Sequence, residues 1–225
     1  LHEFQDMAFL LHFLTKGDLF IDVGSNVGTY SILASGQNHA NTIAYEPIPS
    51  TFEKLIRNIK LNDLESKIKA FNNGIGAVPG SLKFTKNLDT ANHVAKDYDA
   101  DAVEVEIKVL DEEMINKNPI LIKIDVEGFE TEVLNGSKKL LNNGNLQAII
   151  IELNSSGKRY GYNEMDVHQK LLNNQFAAYT YEPFTRTLIN IDLPGRHNTI
   201  YIKNKRKALD RLNASDTVTI NNITF

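Results

Sequence analysis

A strand, a glycine turn and a helix start follow one another directly near the beginning of the chain. Residues 19–22 are an apolar run of strand length that ends in Asp22. Gly24 and Gly28 then punctuate a turn before a segment, residues 30–35, with a helical pattern. Glycine permits positive φ and close approach of a ligand, and a helix start presents unpaired N–H groups. The stretch predicts a binding site for a polar small molecule.

The spacing of the glycines separates two classes of ligand. A dinucleotide fingerprint that began at Gly24 would need glycines at positions 26 and 29, where the chain has Asn26 and Thr29. The spacing Asp22-x-Gly24-x-Asn26-x-Gly28 instead resembles the first motif of class I S-adenosylmethionine (SAM) methyltransferases, whose turn cradles the amino-acid half of the cofactor. A generic strand-to-helix turn of another α/β protein is the alternative.

Strand-like and helix-like patterns alternate over most of the chain. Further strands are predicted at residues 42–46, 68–73, 119–125, 146–153, 176–181 and 199–203. Helices are predicted at residues 3–15, 50–62 with Ser50 as the cap, 130–141 and 164–174. This order predicts a largely parallel sheet with helices on both faces. Ligands of such sheets bind at the carboxyl ends of the strands, near the topological switch point.

Between about residues 80 and 109, the apolar residues recur with a period of two. Residues 81–85 and 103–109 alternate as half-exposed strands do, and a polar stretch, residues 87–102, separates them. This pattern predicts a small β insert between the third and fourth strands of the sheet. We expect its polar stretch to be mobile and to overhang the site.

Composition narrows the class of protein and its partners. A chain of 225 residues suits one domain, and a net charge of −4 disfavours nucleic acid as a partner. The absence of cysteine excludes disulfides and thiolate metal sites and is compatible with a cytoplasmic location. The apolar stretch at residues 7–14 is far shorter than the roughly 20 residues that span a bilayer. Because the chain starts at Leu1, it is compatible with one domain of a longer polypeptide, for example one that carries glycosyltransferase domains.

Polar residues follow the second and third predicted strands. Glu46 lies about 20 residues past the glycine turn, where an acid commonly accepts hydrogen bonds from ribose hydroxyls. Its two oxygens suit the two donors of a diol. Asn72 and Asn73 end the third strand, where an amide could face an adenine edge. The alternative for Glu46 is a surface acid before the Pro-x-Pro turn, and the alternative for the two asparagines is ordinary turn residues.

Three acids surround a later junction between a buried strand and a helix start. They are Asp125, Glu127 and Glu130. The helix dipole stabilises such acids by roughly 0.3–1 kcal/mol each. This stabilisation alone could explain why positions 127 and 130 carry the acids Glu127 and Glu130. Asp125 is different, because an acid that ends a buried strand needs a partner or a function.

Taken in order, these motifs resemble the FkbM family of SAM-dependent methyltransferases. The matching segments are residues 20–28, Tyr45-Glu46-Pro47-x-Pro49, Asn58 with Leu61-Asn62, Leu110-Asp111, residues 122–130 and Val133-Leu134-x-Gly136. Ser25 departs from the frequent alanine, and residues 87–102 have no clear counterpart. The resemblance implies a Rossmann-like α/β fold with a mostly parallel, seven-stranded sheet. It also implies methyl transfer to a hydroxyl of a sugar, glycan or glycosylated metabolite.

The resemblance also implies roles for individual residues. Those that would hold SAM, and its product S-adenosylhomocysteine (SAH), are Asp22, Gly24, Ser25, Asn26 and Gly28 at the methionine end, Glu46 at the ribose, Asn73 near the adenine, and Asp125. Asp125 and Glu127 would face the reacting hydroxyl. Methyltransferases for another small-molecule acceptor, and a non-catalytic SAM-binding scaffold, are the alternative functions.

Methyl transfer to a hydroxyl calls for positioning and for a general base. In-line positioning lowers such a barrier by about 7–11 kcal/mol, and a base adds typically 10²–10⁴-fold. The candidate bases are Asp125, Glu127 and, if the insert folds over the site, His93. A divalent metal held by Asp125 and Glu152 is an alternative that we do not expect.

These patterns divide the chain into three parts. Residues 1–17 are expected to form a helix that packs on the core, and residues 18–203 the methyltransferase domain with its insert at about 80–109. Residues 204–225 are expected to be a solvated C-terminal tail.

Overall fold

The computed structural model describes residues 3–86, 92–96, 101–195, 197–220 and 223–225. Its elements up to the insert are α1 (Phe4–Phe13), β1 (Leu19–Val23), α2 (Thr29–Gly36), β2 (Asn41–Tyr45), α3 (Pro49–Leu61), β3 (Ile68–Phe71), β4 (Gly74–Ile75), β5 (Gly80–Thr85) and β6 (Ala102–Lys108). The elements that follow are α4 (Leu110–Glu113), β7 (Leu121–Ile124), α5 (Glu130–Asn135), α6 (Lys138–Leu141), β8 (Ala148–Glu152), a 3₁₀ helix (Ser156–Tyr160), α7 (Glu164–Asn173), β9 (Ala177–Glu182), β10 (Thr187–Asn190), β11 (Asn198–Ile202), α8 (Lys205–Ala214), β12 (Thr219–Ile220) and β13 (Ile223–Thr224).

The main sheet has eight described strands in the order β10-β9-β11-β8-β7-β1-β2-β3. Strands β8, β7, β1, β2 and β3 pair in parallel, whereas β11, β9 and β10 pair antiparallel. The chain runs outward through β1, β2 and β3 and then returns to β7, beside β1. The switch point therefore lies between β1 and β7, and their carboxyl ends form the crevice in which such folds bind ligands.

Buried residues alternate between two apolar layers, one on each face of the sheet. Phe20 and Leu121 point to the layer that contains α1, α2 and α8. Their neighbours Ile21 and Ile122 point to the opposite layer, against α5, α6 and α7. The expected parallel core with helices on both faces is confirmed.

The expected number of seven strands is wrong, because β10 adds an eighth at the sheet edge. It pairs antiparallel with β9 across a tight connection. Only Leu188 of its four residues is buried, so the segment carries no alternating apolar pattern over a useful length.

The helix expected at residues 130–141 is two short helices, α5 and α6. The break falls at Gly136, where an added Cβ would lie 2.1 Å from the carbonyl oxygen of Gly76. Close contact with the insert therefore interrupts the helical pattern. Ser50 is not the cap expected for α3, which begins at Pro49 without a side-chain cap, because proline is already set for the first helical turn.

The expected β insert is a second sheet of three strands in the order β4-β6-β5. Residues 92–96 lie along β5, where the Thr85 N–H donates to the His93 carbonyl at 2.9 Å and the Ala95 N–H to that of Lys83 at 2.7 Å. The rest of the predicted mobile stretch, residues 87–91 and 97–100, lies outside the described residues.

The segment after Lys203 is not the solvated tail that we expected. Helix α8 buries Ala208 and Leu212 in the same layer as α1. Phe225 is also buried, with its ring centroid 5.0 Å from that of Phe4. The polar residues of α8 conceal this face in the sequence, because only two of its ten positions are buried.

Among the described residues, none of the helices combines the length and the apolar character needed to cross a bilayer.

Candidate active site

A cavity of about 480 Å³ opens at the carboxyl ends of β1, β2, β7 and β8. One side is lined by the glycine turn and Glu46, and the other by Asp125, Glu127 and Glu152. The insert contributes Phe84 and Asn92 to its rim. The cavity thus lies at the switch point of the sheet, where the sequence predicted a site.

Gly24 lies in the tightest part of the turn. Its φ is +79°, and an added Cβ would lie 1.8 Å from the carbonyl oxygen of Asp125. Gly28, with φ +91°, begins α2, and its Cβ would lie 2.4 Å from Leu55 Cδ1. The N–H groups of Gly24 and Ser25 both donate to the Tyr45 carbonyl at 3.0 Å. The turn is therefore packed against the ends of β2 and β7, and only glycine fits at its first position.

Asp22 lies beneath the turn and is 1% exposed. Its Oδ2 accepts a hydrogen bond from Ser31 Oγ at 2.6 Å. Burial raises the pKa of Asp22, while the Lys123 ammonium and the Ser31 hydroxyl oppose that change. Asp22 also lines the cavity.

Glu46 follows β2 directly and is 5% exposed. Its Oε2 accepts from the N–H of Asn26 at 2.9 Å, and its Oε1 from the N–H of Ile48 at 2.9 Å. Burial raises its pKa to about 7, and these two hydrogen bonds oppose the change. Each oxygen keeps acceptor capacity beyond its one backbone donor. The carboxylate can therefore fix the turn and still accept from a ligand diol.

The two asparagines after β3 have different surroundings. Asn72 donates from Nδ2 to the carbonyls of Glu46 at 2.8 Å and Pro47 at 2.9 Å, which fixes the chain after β2. Asn73 lines the cavity, with its Nδ2 3.0 Å from Glu106 Oε2. Of this pair, Asn73 is the one in a position to meet a ligand.

Asp125, Glu127 and Glu152 come together at one end of the sheet, with a carboxylate oxygen of each within 4.8 Å of the others. Asp125 follows β7 and Glu152 ends β8, whose register pairs Ile124 with Ile151. Burial and the charge of Asp125 raise the pKa of Glu152 to about 9. Glu152 hydrogen-bonds Asp125, and the raised pKa of Glu152 favours Glu152 as the donor of that hydrogen bond.

Lys123 is a site residue that sequence reasoning missed. It is 3% exposed, and its Nζ lies 2.7 Å from Asp125 Oδ2. Burial favours the neutral amine, but the charges of Asp125 and Asp22 outweigh it and raise the pKa of Lys123. Burial likewise disfavours ionised Asp125, yet the Lys123 ammonium and the hydrogen bond from Glu152 lower the pKa of that carboxyl. The sequence did contain a signal that could have identified Lys123. A lysine inside a predicted buried strand needs a charged partner.

Glu3 and Tyr30 also line the cavity and were not predicted. The Tyr30 hydroxyl donates to Glu3 Oε2 at 2.6 Å. This contact joins α2 to the start of α1 across 27 positions of sequence, which no local pattern indicates.

His93 is buried in the insert, and its backbone N–H donates to Thr85 Oγ1 at 3.0 Å. It is not among the described residues that line the cavity, whereas its neighbour Asn92 is. Its catalytic role stays a prediction.

In the alternative metal site, Asp125 and Glu152 would be the ligands. A positive charge, the ammonium of Lys123, already lies beside Asp125. The Lys123 ammonium lies 2.7 Å from Asp125 Oδ2, so a divalent cation held by Asp125 and Glu152 would have to share that carboxylate with it.

Known proteins are similar to this chain in sequence. The family described as "Methyltransferase FkbM domain" matches residues 22–183. Hexuronic acid methyltransferase AglP of Haloferax volcanii is 29% identical over 150 residues, which are 65% of this chain and 60% of that protein. Methyltransferase sdnD of Sordaria araneosa is 28% identical over 169 residues, 59% of this chain and 65% of that protein. The chain thus spans less than two thirds of the length of these relatives.

Solved structures are similar in fold. A putative methyltransferase from Streptococcus mutans, in complex with SAH, superposes with a TM-score of 0.53 at 11% identity, covering 88% of this chain and 94% of that one. Precorrin-6y C5,15-methyltransferase from Geobacter metallireducens gives a TM-score of 0.50 at 10% identity, covering 89% and 87%. The expected class I methyltransferase fold is confirmed. Because the family match extends over most of its length, the chain belongs to the FkbM family of SAM-dependent methyltransferases.

Proposed function

We propose that the chain transfers a methyl group from SAM to a hydroxyl of a sugar, glycan or glycosylated metabolite. The observation that carries the proposal is the single cavity that joins the glycine turn and Glu46 to the carboxylates after β7 and β8. A place for a cofactor and a place for an acceptor therefore share one cleft at the switch point.

The glycine turn and Glu46 suit the cofactor. An added Cβ would collide with the Asp125 backbone at Gly24, and Gly28 has a positive φ of +91°, so both positions favour glycine. Glu46 retains acceptor capacity for the ribose diol, and Asn73 offers an amide further along the cavity. When bound, SAM supplies a methyl group activated on a sulfonium sulfur. We assign Asp22, Gly24, Ser25, Asn26, Gly28, Glu46 and Asn73 to holding it.

Asp125 is the base in this proposal. It keeps a carboxylate at neutral pH because Lys123 and Glu152 lower its pKa against the effect of burial. The hydroxyl proton of the acceptor would pass to a carboxylate oxygen of Asp125 as the hydroxyl oxygen bonded the methyl carbon. The bond from that carbon to the sulfonium sulfur would break, with its electron pair left on sulfur as the thioether of SAH. Glu127, half-buried beside Asp125, is the second candidate base, and burial raises its pKa.

A carbohydrate acceptor is supported by two observations. The name of one relative, a hexuronic acid methyltransferase, states a sugar acceptor for that protein. The acceptor side of this cavity is lined by carboxylates and an amide, which hydrogen-bond hydroxyl groups well.

The test is a transfer assay with isotope-labelled SAM and a panel of methyl glycosides, read by mass spectrometry of the products. We expect a methyl ether, and we expect Asp125→Asn to lower turnover by about 10²–10⁴-fold without loss of SAH binding. Glu53→Gln, on the exposed side of α3, is the matched control and should leave turnover unchanged. Methylation of amines alone would contradict transfer to oxygen, and full turnover by Asp125→Asn would contradict the choice of base.

A further inference from the structure

Lys123 holds neither the cofactor nor the acceptor in the transfer proposed above, yet its side chain lines the cavity. Its Nζ lies 2.7 Å from Asp125 Oδ2 and 4.7 Å from the centroid of the Tyr30 ring. Among the described residues that line the cavity, Lys123 is the one cation beside six carboxylates.

A line of contacts leads from the first helix to this ammonium. Glu3 Oε2 accepts the hydroxyl hydrogen of Tyr30 at 2.6 Å, and the face of the Tyr30 ring then meets Lys123. An ammonium over an aromatic face is attracted by the ring quadrupole, and the attraction is stronger when the ammonium is desolvated, as Lys123 is. The start of α1 therefore takes part in holding Lys123 in place.

Charged groups face this pair from every element around it. Lys123 is faced by Asp22 on β1, by Glu3 and Asp6 on α1, and by Tyr30 on α2. Asp125 is faced by Glu152 on β8 and by Glu127 and Glu130 beyond β7, with Glu46 across the turn. Arg159 donates to the Glu127 carbonyl at 3.2 Å and lies outside the set of residues that line the cavity. Without the ammonium of Lys123, Asp125 would be buried among acids alone.

We propose that Lys123 is a positioning residue that fixes the Asp125 carboxylate in place as the base through their 2.7 Å contact, and that Tyr30 and Glu3 hold Lys123 in turn. The inference rests on the proposed methyl transfer, in which Asp125 takes the hydroxyl proton. A neutral side chain in place of Lys123 leaves only the hydrogen bond from Glu152 to oppose the effect of burial, so the pKa of Asp125 rises and the carboxyl holds a proton more readily.

Carboxyl NMR of the protein labelled with ¹³C-aspartate tests this without any acceptor. The Asp125 signal is identified by its loss in Asp125→Asn. In the wild-type protein saturated with SAH, we expect Asp125 to titrate below the ordinary aspartate value of about 3.9. Lys123→Met should raise the midpoint above that value, and Lys123→Arg should restore the low midpoint because it restores the cation.

Lys203 gives a matched control. Its Nζ donates to the Leu141 carbonyl at 2.6 Å and lies 4.8 Å from the Phe176 ring, so it resembles Lys123 in hydrogen bonding and ring contact but has no such carboxylate partner. Lys203→Met should leave the Asp125 midpoint unchanged. Tyr30→Leu should raise it in the same direction as Lys123→Met.

An Asp125 midpoint at or above the ordinary value in the wild-type protein would overturn the inference, whether or not Lys123→Met folds. An unchanged midpoint in folded Lys123→Met would do the same. A shift of the Asp125 signal with millimolar Mg²⁺ would also overturn it, because a metal would then supply the charge assigned to Lys123. If the wild-type protein did not bind SAH at all, that result would instead contradict the proposed function.

Discussion

At the scale of single residues, the closest approach in the site is that of Gly24 to the backbone of Asp125. The two residues come from the ends of adjacent strands, β1 and β7, which pair in parallel. A Cβ at Gly24 would lie 1.8 Å from the Asp125 carbonyl oxygen, well inside van der Waals contact. Any side chain at position 24 therefore displaces either the turn or the segment that carries the proposed base.

We predict that Gly24→Ala abolishes SAH binding, measured by calorimetry. Gly17→Ala is the matched control, because Gly17 also has a positive φ, +88°, but an added Cβ meets nothing within 4 Å. The control should lose only about 1–2 kcal/mol of stability, the usual cost of a left-handed L-residue, and should keep its SAH affinity. Equal SAH affinity of both variants would contradict the steric argument.

Sequence reasoning found the residues of the site that lie in local motifs. Gly24, Glu46 and Asp125 each follow a strand with a recognisable apolar pattern, and all three line the cavity. Lys123 was missed because its role depends on Asp125 and Tyr30, which approach it only in the folded chain. Glu3 was missed for the same reason.

At the scale of elements, α1 is buried along most of its length, as the spacing of its own apolar residues indicates. Phe9 is fully buried, with ring centroids 5.0 Å from Phe13 and 5.6 Å from Tyr181. The spacing of apolar residues predicted this helix. It could not predict α8 beside it, because that helix buries only two of its positions. Nor did it predict β10, which is positioned by pairing with β9.

We predict that Phe9→Ala lowers the free energy of unfolding by about 3–5 kcal/mol, the usual cost of emptying a buried aromatic site. Urea denaturation measures the change. Leu61→Ala is the control, because Leu61 at the end of α3 is 74% exposed and its truncation should have little effect. A small loss for Phe9→Ala would mean that α1 is not part of the cooperative core.

At the scale of the whole molecule, the buried acids set the pH dependence of stability. Burial raises the pKa of Glu46 and of Glu130 to about 7, and that of Asp6 to about 6. Between their ordinary values near 4 and these raised values, the native state binds protons that the unfolded chain has released. Stability contributed by these groups is therefore greatest below about pH 4, their ordinary value, and is lost as the pH rises through the folded values. Asp125, whose pKa is lowered, contributes above its ordinary value and so stays constant across this range.

We predict that the free energy of unfolding falls between pH 5 and pH 8, by up to about 1.4 kcal/mol per pH unit for each such group. Urea denaturation at several pH values measures the slope. Glu130→Gln should flatten it, whereas Glu53→Gln on the exposed side of α3 should not. A free energy of unfolding that rises across this range would contradict the burial of these carboxyls as neutral acids.

Calorimetric titration of the wild-type chain with SAH, with and without Mg²⁺, tests whether the glycine turn and Glu46 hold the cofactor. We predict micromolar binding that Mg²⁺ does not change and that Glu46→Ala weakens, because the diol then loses its acceptor. Absence of binding in both conditions would contradict a cofactor site at the glycine turn, and binding that requires Mg²⁺ would contradict the assignment of the Asp125 charge to Lys123.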